Sequence, residues 1–281
     1  MTDYTVPTLH GRTLLLHKEL DTNLYSPPDE VVLNKRPDMN VYPTTALPTP
    51  PKFKLNCWGI GNGGHKVPAS GGTRPSPVYH TTEQAALYRH IPFRIVEPAN
   101  DLTEAEMLNY RFRVTQTISG TDYILYYFKK ISSFTLPTEV SVINNSGVLT
   151  QTTLVRSVSN RDNPSPVTIP SNTPVNSSNR YLATYVNIPL VLTHQEIQDI
   201  ITAIDILYPG DPKVISEICI NSGVEEKFSI TSGTGANVTI DESLGTIVSY
   251  FINTFYMLDK IPASNGITLN INIGQNEPIQ V

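Results

Sequence analysis

Apolar positions follow three different patterns along this chain, and each pattern predicts a different kind of element. Between Asp21 and Lys52 they recur without a period: Leu24, Tyr25, Val31, Val32, Leu33, Met39, Val41, Tyr42 and Leu47. Among them stand Pro27, Pro28, Pro37, Pro43, Pro48, Pro50 and Pro51. Each proline lacks a backbone donor and restricts the residue before it, which excludes helices and central strands. A linker would not require these apolar side chains. Residues 1–53 therefore read as an extended arm, laid over a neighbour or over its own domain. About thirty extended residues reach on the order of 100 Å.

From Lys54 onward, β-rich runs alternate with short helical signals. Lys54–Trp58 is strand-like and runs into a glycine loop. Thr81-Thr82-Glu83-Gln84 and Thr103-Glu104-Ala105-Glu106 both have the capping-box form that opens a helix. The first predicts a short helix carrying Ala85, Leu87, Tyr88 and Ile91 up to Pro92. Tyr110–Ile118 and Tyr123–Ile131 predict a hairpin around Ser119-Gly120-Thr121-Asp122. Glu139–Ile143 and Val148–Val155 predict another around Asn145-Ser146-Gly147. Residues 157–179 hold Pro164, Pro166, Pro170 and Pro174 among Ser and Asn and read as an exposed loop.

The third pattern is helical. After a strand over Tyr185–Leu192, Thr193 and Glu196 form a capping box. Ile197, Ile200, Ile201, Ile204, Leu207 and Tyr208 then keep a 3.6 spacing up to Pro209-Gly210. Strands are predicted at Val214–Asn221, Lys227–Thr231, Asn237–Ile240, Thr246–Leu258 and Ile267–Ile273. Thr246–Leu258 is apolar at nearly every position, and its Thr, Val, Ile, Tyr and Phe content favours β over helix. The expected fold is α+β, a sheet-dominated single domain over 54–281 with a few helices, preceded by the Pro-rich arm.

Composition adds the surface. The 281 residues are 39% hydrophobic, enough for a core, but only 16% charged, against about 25% in an ordinary soluble domain. Thr, Ser, Asn and 23 prolines make up the difference. Neutral polar surface suits extensive protein contact, because few long charged side chains need desolvating. A net charge of −5 with no basic stripe argues against nucleic acid as the main ligand. No apolar run reaches the roughly 18 residues of a membrane span, and no signal-peptide pattern opens the chain. Cys57 and Cys219 form neither a disulfide framework nor a CxxC pair, which fits folding in a reducing cytoplasm.

Candidate chemistry is sparse. Gly59-Ile60-Gly61-Asn62-Gly63-Gly64 fits GxGxxG, but His65-Lys66-Val67-Pro68 and then Gly71-Gly72 and Pro75 cannot begin the helix that would hold a pyrophosphate. The loop reads instead as backbone free to adopt positive φ and to lie close to a neighbour. His10, His17, His65, His80, His90 and His194 show no metal-ligand spacing, and His80 and His90 read as surface or capping groups. There is no GxSxG elbow. Glu104/Glu106 fall in a helix's first turn and Glu225/Glu226 in a turn between strands. The aspartates do not form a calcium loop. No catalytic, cofactor-binding or metal-ligating residue is assigned, and an enzyme is not expected. Candidate contact residues are Pro27, Pro28 and Tyr42 on the arm, Trp58, Gly61, Gly63, Gly64 and His65 at the loop, and Tyr126 and Tyr127 on the hairpin.

The words CWGIGNGGH, ALYRHIPF, EPANDLTEAEMLNYRFR, YILYYFKK and ISEICINSGVE occur in this order. Over roughly Leu55–Ile131 and Arg180–Val224 the chain resembles uncharacterised virion structural proteins of large tailed bacteriophages of the myovirus type. Two places depart from that pattern: Asn109-Tyr110-Arg111, and Lys129-Lys130, which ends in Lys rather than Arg. The resemblance implies a particle subunit in the virion, of the neck (head–tail connector or tail terminator), tail or baseplate. Its partners would be other virion proteins, in a homo-oligomeric ring. A receptor- or glycan-binding accessory module on the virion surface is the alternative.

Overall fold

The computed structural model describes residues 4–8, 11, 13–15, 32–35, 52–66, 75–131, 140–144, 152–154, 180–261 and 266–278. The fold is dominated by sheet, with few helices, as the alternating patterns predict. Contacts group the chain into two compact units, 1–131 with 192–267 and 132–191 with 268–281. Among the described residues no helix is long and apolar enough to cross a membrane.

The first unit is built on an eight-stranded sheet. Its strands are β1 (Tyr4–Pro7), β2 (Lys54–Gly61), β5 (His90–Ile91), β6 (Arg94–Val96), β7 (Tyr110–Ile118), β8 (Thr121–Lys130), β12 (Val214–Thr231) and β13 (Asn237–Met257). The order is β1-β13-β12-β2-β8-β6, with β5 on β2 and β7 on β8. A separate ribbon pairs β3 (His65–Lys66) with β4 (Ser76–Pro77). In this unit α1 (Glu104–Met107) and α2 (His194–Leu207) both open with the expected capping boxes, at Thr103/Glu106 and Thr193/Glu196. In α2, Ile197, Ile200, Ala203 and Ile204 are buried, which is the stripe its 3.6 spacing predicts.

The strands predicted separately over 214–231 and over 237–258 are two continuous ones. β12 and β13 pair antiparallel from Val214↔Met257 to Thr231↔Asn237, with register shifts near Ile215/Glu217, Ile220/Asn221 and Ser222/Val224. Residues 214–224 are buried without interruption, after which burial in β12 alternates. The sequence pattern changes there because one face becomes solvated, not because the strand ends. Glu225 and Glu226 thus lie within a strand rather than in a turn. The β7–β8 hairpin turns on Ser119 and Gly120 alone, with φ of 50° and 86°. Two successive positive values give the tight two-residue turn that fits strand twist, and Thr121 and Asp122 join β8.

The N-terminal segment lies on its own unit wherever it is described. Tyr4–Pro7 pairs with Tyr250–Asn253. Thr8 donates its N–H to the Ser249 carbonyl at 2.9 Å. Leu14 packs with Phe53, Val224 and Ile247. Asn34 donates to the Ser243 carbonyl at 2.8 Å and accepts from the Thr246 N–H at 3.0 Å. These contacts blunt the exposed edge of β13. Pro27, Pro28 and Tyr42 lie outside the described residues, as does the 157–179 loop.

The second unit holds a four-stranded sheet, β10 (Thr152–Leu154), β9 (Val140–Asn144), β11 (Arg180–Leu192) and β14 (Ile267–Pro278), in that order. β9 pairs antiparallel with β10, through Val140↔Leu154, and with β11, through Arg180↔Asn144. This is the second predicted hairpin.

Candidate functional site: a loop surface clamped by a buried carboxylate

Glu217 stands in the uninterrupted apolar stretch of β12 and its side chain is fully buried. A carboxylate in that position is tolerated only when donors converge on it. Its Oε1 accepts the Gly63 N–H at 2.9 Å and the Arg89 N–H at 3.0 Å. Its Oε2 accepts the Tyr88 N–H at 3.0 Å and lies 2.8 Å from His80 Nε2. One side chain therefore ties the glycine loop to the segment between His80 and His90.

No helix forms over 81–91, against expectation, and this clamp is the reason. The Tyr88 and Arg89 amides that a helix would bond to carbonyls four residues back are turned onto Glu217. The predicted capping residue still closes one turn, because Gln84 Oε1 accepts the Thr81 N–H at 3.0 Å. The same oxygen lies 2.8 Å from His80 Nδ1. Both His80 ring nitrogens are thus engaged, one by Gln84 and one by Glu217. The His80 ring is stacked between Tyr88 and Phe251, at centroid distances of 4.4 and 4.1 Å. His80 and His90 are buried, not surface groups as the sequence suggested. The Leu87 N–H donates to His90 Nε2 at 3.3 Å.

Space explains the glycines. Positive φ does not, since Gly59, Gly61, Gly63 and Gly64 are not among the residues with positive φ. A Cβ on Gly61 would stand 2.3 Å from the Arg89 carbonyl oxygen, and one on Gly64 2.6 Å from the Ser216 carbonyl oxygen. The neighbour that the loop approaches is its own chain. Gly64 donates its N–H to Ser216 Oγ at 3.0 Å, and Val78 donates to the Gly64 carbonyl at 2.9 Å. Gly64→Ala is expected to cost about 1–3 kcal/mol by forcing backbone apart, read as a shifted urea midpoint. A loss below about 0.5 kcal/mol would show the approach to be slack.

Above this clamp lies an exposed rim of Lys66, Ser76, Pro77, Thr81, Thr82, Glu83 and two tyrosines. Tyr79 is 57% and Tyr88 43% exposed. The Tyr88 hydroxyl donates to the Tyr79 carbonyl at 3.0 Å and accepts from Gln84 Nε2 at 3.0 Å, which fixes the direction of the Tyr88 side chain. Arg89 pairs with Asp211 and lies over the Tyr208 ring at 4.6 Å.

The remaining sequence words are held by similar hubs. Asp101 accepts from Tyr126 Oη, from Arg113 at 2.9 Å and from the Gly233 N–H at 2.6 Å, pinning the turn between β12 and β13. Burial pushes its carboxyl up, but these donors outweigh burial and hold it below the usual range. Glu196 accepts from Tyr110 Oη at 2.7 Å and Lys129 Nζ at 2.6 Å in addition to its capping role. Burial likewise opposes, and Lys129 above all reverses, the shift of its carboxyl, which ends low. Glu225 binds Arg111 and Lys54. Cys57 and Cys219 are free and buried, and burial pushes the Cys57 thiol up to about 12 and the Cys219 thiol well up too. Neither is poised as a nucleophile.

A family model described as a family of unknown function, DUF7208, matches residues 1–281. The chain belongs to that family. No curated protein and no solved structure matches this DUF7208 chain.

The sequence candidates separate cleanly against this geometry. Gly61, Gly63, Gly64 and His65 lie in or beside the clamp. His65 is part exposed, edge-on to Phe255 at 5.4 Å, and burial lowers its pKa. Trp58, Tyr126 and Tyr127 are core residues instead. Trp58 meets Phe93 edge-on at 4.8 Å, and all three are buried, so they present no side chain at the surface of this unit. Sequence reading missed Glu217, His80, Tyr79 and Asp101. For Glu217 a signal existed, namely one acid inside the apolar run Val214–Ile220, where an ionisable residue is rarely buried without a partner.

Proposed function

We propose that this DUF7208 chain is a structural subunit of a bacteriophage virion, of the neck, tail or baseplate, which folds in the host cytoplasm and acts by assembling with other virion proteins into a ring. The observation that carries the reading is the clamped rim. Several buried polar groups, Glu217, His80 and the Gly63, Tyr88 and Arg89 amides, are committed to fixing an exposed backbone surface bearing Tyr79 and Tyr88. Pre-ordering a surface lowers the entropic cost of association, and tyrosine is enriched where binding energy concentrates. The resemblance of the CWGIGNGGH, ALYRHIPF and ISEI words to phage virion proteins supports the same reading, because those words build this clamp.

The test is light scattering on the purified chain, alone and mixed with neck and tail proteins of a tailed phage, comparing wild type with Tyr79→Ser. A closed ring or a mixed complex, weakened about 10-fold or more by the substitution, is expected. A monomer indifferent to those partners would overturn the proposal. Binding of wild type to a glycan array, lost in Tyr79→Ser, would move the reading to a receptor- or glycan-binding accessory module. Deleting residues 1–50 is a poor test, because Thr8, Leu14 and Asn34 belong to the unit's own fold.

A further inference from the structure

β7 and β13 lie beside one another without sharing a ladder, since β7 pairs with β8, and β13 with β1 and β12. Side chains fasten that seam instead. Glu104 Oε1 accepts the Thr239 N–H at 2.9 Å, and Asp101 accepts the Gly233 N–H at 2.6 Å. A small pocket in the seam is faced from β7 by Arg111 and Arg113 and from β13 by Asp241 and Glu242. Arg111 is committed elsewhere. Its Nε donates to Glu225 at 2.7 Å, its Nη1 donates to the Leu108 and Tyr110 carbonyls at 2.8 and 3.0 Å, and its Nη2 lies against Glu225 and Asp241. On the β12–β13 ladder Lys227 stands opposite Asp241 and Glu226 opposite Glu242. Tyr110 and Tyr126, also on the pocket, are engaged by Glu196 and Asp101. Two groups are left over. Glu242 is 1% exposed, and neither carboxyl oxygen has a hydrogen-bond partner among the described residues. Arg113 gives Nη2 to Asp101 at 2.9 Å and Nε to the Tyr126 hydroxyl at 3.3 Å, while its Nη1 makes no hydrogen bond among those residues.

We infer that Arg113 and Glu242 form a proton-gated latch across this seam. The latch is open while Glu242 is protonated, and it closes on ionisation, with the carboxylate on Arg113 Nη1 and Asp101 kept on Nη2. A guanidinium is a planar fork of five donors, so it can serve two carboxylates at once. Of the two arginines on the pocket, Arg113 is the one whose charge reaches the Glu242 carboxyl. In an apolar wall of Met107, Phe112 and Ile240 a carboxylic acid is tolerated as the neutral form, whereas a lone carboxylate is not. Ionisation releases the proton to solvent and sets up one charge-assisted bond. The pocket has the room of a single water-sized group, which lets a carboxylate oxygen turn toward the guanidinium by side-chain rotation alone. No ion from outside is required. Burial places the ionisation at about 8, so the seam gains its fastening on the alkaline side of neutrality. The inference does not rest on the virion reading.

The experiment is a pH titration of the full chain from pH 6 to 10 by NMR, following the Glu242 carboxyl carbon and the Arg113 guanidinium together. The Arg113 nitrogens should shift with the same midpoint as the Glu242 carboxyl. Above that midpoint, exchange of the Nη1 protons with water should slow about tenfold or more, after correction for the intrinsic effect of pH, as one new charge-assisted bond requires. In Glu242→Gln the Arg113 response should vanish. A Glu242 carboxyl that titrates while Arg113 stays unchanged would overturn the inference, and so would an Arg113 response that survives in Glu242→Gln. The amides of Thr239 and Gly233 give the opposite mechanism its chance: if their protection falls as Glu242 ionises, the charge opens the seam and no latch exists. Absence of any Glu242 titration in this range also overturns it. The wild-type readouts decide the matter even if the variant fails to fold.

Discussion

Replacing Glu217 by alanine is expected to lower stability by about 3 kcal/mol or more, because several buried groups lose their hydrogen-bond partner at once. The loss has two sources. His80, stacked between Tyr88 and Phe251, loses the hydrogen-bond partner of its Nε2. The Gly63, Tyr88 and Arg89 amides lose their acceptor, at about 1–3 kcal/mol for each that stays buried. The loop lies near the surface and can open to water, so the amide contributions will not add in full. Urea denaturation gives the total, and amide hydrogen exchange locates it. Protection should collapse at Gly63, Tyr88 and Arg89 while the β12–β13 ladder keeps its order. Ser216→Ala is the control, since it removes only the Gly64 contact and should cost about 1 kcal/mol. A Glu217→Ala loss no larger than the control's would mean that the loop is held by packing and that the clamp is incidental.

That clamp also shows what the sequence made legible and what it hid. The α2 stripe, both capping boxes and the β7–β8 hairpin follow from local rules, because each is settled by residues close in the chain. The turn after His80 looked helical for the same local reason, the Thr81/Gln84 capping pattern. It failed because the acceptor that captures its amides lies 129 residues away at Glu217. Trp58, Tyr126 and Tyr127 were misplaced for a related reason: aromatic residues are equally at home in a core and at an interface, and only strand order decides. With β2 beside β8 and β12, those rings are enclosed. The glycines were rightly singled out for close approach and wrongly for positive φ, and the groups they approach, Ser216 and Arg89, are set by tertiary structure. Local periodicity cannot report a partner across the sheet. A lone acid in an apolar run reports only that one must exist.

Glu242 is the acid for which the described residues supply no such partner, and its effect on stability should run opposite to that of the other buried carboxylates. Burial raises its pKa from 4.5 to about 8, and Arg113 offsets only part of this. Below pH 4.5 the group is neutral in folded and unfolded chains alike, and it carries no penalty. Between pH 4.5 and 8 the unfolded chain releases the proton while the folded chain keeps it. Stability therefore falls by about 1.4 kcal/mol per pH unit and levels off above 8. Near pH 7 the accumulated penalty is about 3 kcal/mol. Asp101, Glu196 and Glu225, whose pKa values are lowered, contribute with the reverse sign: their stabilisation is present above the normal carboxylate range and is lost on acidification. The wild-type profile mixes these contributions, so the informative quantity is the difference between wild type and Glu242→Gln, measured by denaturation from pH 5 to 9 in choline chloride. Glutamine keeps the shape without the charge, so the variant should be more stable by about 2–3 kcal/mol at pH 7. That advantage should shrink toward pH 5 and grow toward pH 8. A difference independent of pH would mean that Glu242 is ionised in the folded chain throughout, and hence that a cation-supplying partner already sits beside it.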